Sequence, residues 1–140
     1  MVDINKVMEY SKEFTLLYVE DNADAREMTA MVLENFFKEV YVAKNGKEGV
    51  EQFKQNPVDI VMSDISMPKL NGFELCKIIK SIDPSVSLVI ISAHNEKQFF
   101  SQSVDVGVDG YIYKPIDIDK LTTVLYKVVT KKIQNSSKES

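Results

Sequence analysis

The 140 residues carry 17 Lys and Arg against 21 Asp and Glu, a net charge of −4, with 44% apolar residues, five Gly and four Pro. That composition belongs to one globular domain; it excludes a disordered or fibrous chain, and a protein that grips nucleic acid through a basic face. The lone Cys76 leaves neither an internal disulfide nor a cysteine metal site, no apolar run approaches the ~20 residues of a membrane span, and the N-terminus has no signal-peptide core, so a soluble cytoplasmic protein is expected.

Taken in chain order, residues 1–13 place Ile4, Val7, Met8 and Ser11 on one face, which predicts a short amphipathic helix ahead of the main body. Five apolar runs follow at 15–19, 40–43, 58–62, 86–91 and 108–113, rich in Val, Ile and Tyr. The fourth is nearly continuous, as suits a strand covered on both faces of a parallel sheet. The stretches between them have helical spacing. Residues 23–37 carry Met28, Met31, Val32 and Phe36 as their apolar positions; 46–55 carry Val50 and Phe53; 72–80 carry Phe73, Cys76 and Ile79. Residues 95–105 carry Phe99, Phe100 and Val104, and 117–133 carry Leu121, Val124, Leu125, Val128 and Val129. Strands alternating with helices predict right-handed βαβ units and a doubly wound α/β sheet. The body is expected to span 14–132, with 133–140 a frayed polar tail or the start of a linker.

Ligands of an open parallel sheet bind beyond the carboxyl ends of its strands. Past the first run stand Glu20 and Asp21, past the third Asp64, past the fourth Ser92, and at the end of the fifth Lys114 followed by Pro115. Each has a plain explanation alone: a helix start capped by Asn22, a polar loop from Asp64 to Pro68, a solvated lysine. Their coincidence at one sheet edge is what points to chemistry. Three carboxylates in one crevice repel one another unless a cation joins them, and oxygen donors without His or Cys select a hard ion such as Mg²⁺. A divalent ion on one side, with Lys114 and Ser92 donating from the other, would hold a phosphoryl group. Asp64 is then the candidate nucleophile, and Glu20 and Asp21 the metal ligands.

The segments LYVEDN, MSDISMPKLNG, VIISAH and GVDGYIYKP together resemble the receiver domains of two-component response regulators, over about residues 14–132. The resemblance implies a flavodoxin-like (βα)5 fold with strand order 2-1-3-4-5. It implies Mg²⁺, with Mn²⁺ as a substitute, held by Glu20 largely through water, by Asp21 and Asp64, and by the backbone carbonyl of Ser66. Asp64 would be the phosphoacceptor, served by a sensor histidine kinase, a phosphotransfer protein or a small phosphodonor. Ser92, the backbone of Ala93 and Lys114 would bind the phosphoryl group, the Lys114–Pro115 bond would be cis, and Gly72 would be structural. Ser92 and Tyr111 would form a switch that remodels the face made by the body's fourth helix, fifth strand and fifth helix. A downstream protein target, an output domain or a second copy would dock there. Ser66 and His94 flank the site where side chains tune the access of hydrolytic water. Such a chain is a signalling phosphoacceptor, catalysing only its own phosphorylation and dephosphorylation.

Three alternatives stand beside this reading. A flavin carrier of the same strand order needs a phosphate-cradling loop after the first strand, where the acidic EDNADA stands instead. An aspartyl phosphohydrolase usually carries its nucleophile after strand one in an Asp-x-Asp arrangement, absent here. The third is a receiver-like module that binds partners without phosphorylation.

Overall fold

The computed structural model describes residues 2–93 and 106–139. Helix α1 (Ile4–Ser11) is followed by β1 (Thr15–Val19), α2 (Ala23–Leu33), β2 (Glu39–Ala43), α3 (Gly46–Gln55), β3 (Ile60–Asp64), α4 (Gly72–Ile82), β4 (Ser87–Ser92), β5 (Gly110–Tyr113) and α5 (Ile118–Glu139). The strands form a parallel sheet in the order β2-β1-β3-β4-β5, the expected flavodoxin-like arrangement. The expected helix at 95–105, with Phe99 and Phe100, and His94 before it lie outside the described residues.

Every residue of β1, β3 and β4 is buried, because successive side chains point to opposite faces and helices cover both. Leu16, Tyr18, Ile60, Met62, Val89 and Ile91 pack on one face with Leu33 of α2 and Leu121, Leu125 and Val129 of α5. Leu17, Val19, Val61, Leu88 and Ile90 pack on the other with Phe53 of α3 and Leu75, Cys76 and Ile79 of α4. Cys76 is a small buried hydrophobe there, and burial pushes its thiol up to about 12.

Helix α1 forms as expected, started by the Asp3 carboxylate accepting the Asn5 N–H at 2.9 Å. Val7 enters the core beside α5, and Tyr10 packs on Tyr126 with ring centroids 6.4 Å apart. Three expectations are corrected. Helix α2 stops at Leu33 rather than 37, and Met28, Met31 and Val32 face outward; Ala30 and Leu33 point in, and Phe36 and Phe37 reach the core from the following turn. The end of this helix is apolar nearly all round, so periodicity alone does not choose its inner face; packing does. Strand β3 begins at Ile60, which makes Asp64 its last residue, although Val58 is buried as its apolar character suggests. Helix α5 continues through the polar tail to Glu139, for neither Gly nor Pro interrupts it, and Lys132 donates to the Ser85 carbonyl at 3.2 Å across the bottom of the sheet.

Candidate functional site

Strand register brings the chemistry together. Val19 pairs with Ser63, so Glu20 is level with Asp64; Asp64 pairs with Ile91, so Ser92 lies one residue beyond; Ser92 pairs with Tyr113, so Lys114 follows it. All of these stand at the carboxyl edge. The Lys114 N–H donates to the Ser92 carbonyl at 2.8 Å, and the Lys114–Pro115 peptide bond is cis.

Glu20 and Asp64 are 2% and 4% exposed, and with exposed Asp21 they bring one carboxylate oxygen each within 4.8 Å of the others. The Lys114 ammonium stands 2.7 Å from Asp64 Oδ2 and 3.5 Å from Glu20 Oε1. Burial and then the charge of Asp64 push Glu20 up to about 7. Burial works against the charge on Lys114, yet the hydrogen bond and charge of Asp64, followed by Glu20, hold its pKa above the ordinary value. One ammonium thus balances part of three carboxylates. A divalent cation fits the remainder: the donors are all oxygens, close together, and two are screened from water.

Asn22 caps α2, accepting the Ala25 N–H at 2.9 Å, so the plain helix-start reading holds beside the functional one: the cap frees the two preceding acids to face the pocket. The Ser66 N–H donates to Asp64 Oδ1 at 3.3 Å, and the Gly72 N–H to the Ile65 carbonyl at 2.9 Å, closing the loop behind the aspartate. A Cβ on Gly72 would strike the Asp64 carbonyl oxygen and stand 2.9 Å from the Cα of Ile65, so only glycine lets α4 start this close. Ser92 is fully buried, and its hydroxyl has no hydrogen-bond partner among the described residues. Such an orphan donor at the end of β4 suits an incoming oxygen acceptor. Ala93 follows it, half-buried. Tyr111 is half-buried against the Leu17 and Ile90 face, its ring 5.4 Å from that of Tyr113.

Arg26 has no place in the pattern of strand ends. From the first turn of α2 its Nη1 donates to the Glu20 carbonyl at 2.8 Å, fixing the backbone that carries both acids. Its position six residues after Glu20, near the start of a helix, is a signal visible in the sequence.

Compared with known proteins, residues 16–126 match the family model described as response regulator receiver domain. The chain belongs to that family. The receiver is 33% identical over 114 residues to the chemotaxis protein CheY of Thermotoga maritima, covering 81% of this chain and 95% of that one. It is 31% identical over 115 residues to CheY of Bacillus subtilis, covering 81% and 96%. Among solved structures, the N-terminal domain of an uncharacterized protein from Wolinella succinogenes superposes with a TM-score of 0.78 at 34% identity, covering 87% of this receiver and 98% of that chain. Among the described residues, no helix is long and apolar enough to cross a membrane.

Proposed function

We propose that this receiver accepts a phosphoryl group on Asp64 from a sensor histidine kinase or a phosphotransfer protein. The observation that carries the reading is the ammonium of Lys114, shared at 2.7 and 3.5 Å between Asp64 and Glu20 inside a trio of carboxylates. Glu20, Asp21, Asp64 and the Ser66 carbonyl are the residues to hold Mg²⁺, or Mn²⁺ in its place. The bound ion supplies charge neutralisation for the phosphoryl oxygens. Asp64 Oδ attacks phosphorus, the bond from phosphorus to the donor nitrogen breaks, and the electron pair leaves with the imidazole. Lys114 moves its hydrogen bond from Asp64 to a phosphoryl oxygen, and the unpartnered Ser92 hydroxyl and the Ala93 backbone take another.

The donor needs a surface beside this pocket. Met28 is 70% exposed and Val32 39%, and with Thr29, Ile116, Ile118 and Leu121 they line an apolar groove of about 230 Å³ that flanks the segment after Lys114. An amphipathic helix of the donor fits such a groove. Signal output follows from Ser92 and Tyr111 in their phosphorylated positions, which bias the face of β5 and α5 toward a protein target, an output domain or a second copy.

The test is incubation with acetyl phosphate and Mg²⁺, read by intact mass. The wild-type chain gains one alkali-labile, hydroxylamine-sensitive phosphoryl group; Asp64→Asn and metal-chelated samples gain none. Wild-type protein that stays unlabelled while still binding partners would favour the phosphorylation-independent module.

A further inference from the structure

On the side of the pocket away from Lys114 lies a cleft of about 390 Å³ between the loops after β1, β2 and β3. Its walls carry four cations, Arg26, Lys44, Lys47 and Lys69, and one acid, Asp21. Asp21 also belongs to the carboxylate trio, so the cleft opens directly from the transfer site. No ion pair engages any of the four cations among the described residues, although the chain carries a net charge of −4. Lys69 sits at φ 69°, a left-handed conformation unfavourable for a side-chain-bearing residue, and this turn sets its side chain at the cleft wall. Cations that converge on a concave wall without an ion-pair partner hold a local positive potential, and a small anion is what it attracts.

We infer that this cleft binds a second anionic group on a small acyl-phosphate donor whose phosphoryl group stands at Asp64. The inference rests on Asp64 being the phosphoacceptor. Transfer forms a bond from Asp64 Oδ to phosphorus and breaks the bond from phosphorus to the acyl oxygen; the electron pair leaves on the donor's carboxylate, and no proton or electron is required from elsewhere. A donor with a remote carboxylate places it among Lys44, Lys47 and Lys69, whereas acetyl phosphate has nothing to place there.

Succinyl phosphate and acetyl phosphate differ in that remote carboxylate, and the rate of Asp64 phosphorylation with each gives the comparison. At low ionic strength the wild-type KM for succinyl phosphate is expected to be lower by on the order of tenfold. The variant Lys44→Gln/Lys47→Gln/Lys69→Gln, confirmed folded by circular dichroism, should treat the two donors alike, and raising salt from about 0.05 to about 0.5 M should erase the wild-type preference. Equal KM values in the wild type, or a preference that survives the triple substitution, overturn the inference. A second measurement separates it from the phosphoacceptor reading: amide NMR shifts at Asn45, Lys47 and Lys69 on adding inorganic pyrophosphate in metal-free buffer. If neither donor labels the protein yet these shifts appear and vanish in the variant, the phosphoacceptor assignment fails and the anion cleft stands. If pyrophosphate moves none of them, the cleft assignment fails.

Discussion

Asp64 is held from behind by a residue with no side chain. Gly72 starts α4 against the carbonyl of Asp64, where a methyl group would require the strand end or the helix to shift. Gly72→Ala is therefore expected to lower stability by about 1–3 kcal/mol, as small-to-large changes in packed sites do. Urea titration would measure that loss; an unchanged midpoint would mean that the helix start yields without cost. The same displacement moves the carboxylate away from Lys114, so acetyl phosphate labelling should slow in parallel. Glu20, Asp21, Asp64, Ser92 and Lys114 were legible in the sequence because each stands within two residues of the end of an apolar run, and parallel register makes strand ends meet. For Arg26 the one signal is its place six residues after Glu20 near a helix start, and Lys44 and Lys69 carry none. Their convergence depends on the paths of three loops, which no periodicity encodes, and only the folded chain reveals Lys69 in a left-handed turn.

At the scale of elements, the local signals that succeeded were those with one physical solution. Apolar runs located β1, β3 and β4, and in the folded chain Asn71-Gly72-Phe73-Glu74 opens α4 with a reciprocal cap that was not read from the sequence: Asn71 Oδ1 accepts the Glu74 N–H at 2.9 Å, and Glu74 Oε1 accepts the Asn71 N–H at 3.0 Å. Asn71→Ala breaks this exchange and should cost about 1 kcal/mol. The loss should appear as a lower urea midpoint at unchanged slope, since the exposed cap alters neither the surface buried nor the fold. Equal stability of the variant would mean that water serves the helix end as well as Asn71 does. Where several solutions exist, sequence reading ran short. The last turns of α2 offer apolar residues on every side, and only contact with β1 and the turn at Phe36 and Phe37 turns Met28 and Met31 outward. In α5 the polar residues after Ile133 look like a tail, yet the backbone ladder continues because nothing in the chain stops it.

Across the whole molecule, the candidate site and the reinforcing helix α1 occupy opposite ends of the sheet. The carboxyl edge concentrates carboxylates whose burial, and then mutual repulsion, works against folding, as the upward push on Glu20 shows. The opposite end gains apolar contacts, for α1 lies on α5 and adds Val7 to the core that contains Leu33, Phe36, Phe37 and Val129. An N-terminal helix of eight residues is too short to persist alone in water, so its order must come from this docking. If the docked helix belongs to the cooperative unit, removing two methyl groups from fully buried Val7 must weaken the entire fold rather than release a local segment. Val7→Ala is expected to cost about 1–3 kcal/mol from lost apolar burial and the small cavity left behind. The unfolding transition should stay single when followed by both far-UV circular dichroism and tyrosine fluorescence, because Tyr10 and Tyr126 separate only as α1 leaves α5. Two transitions, with the tyrosine signal changing first and the main midpoint unmoved, would show instead that α1 rides on the receiver without stabilising it.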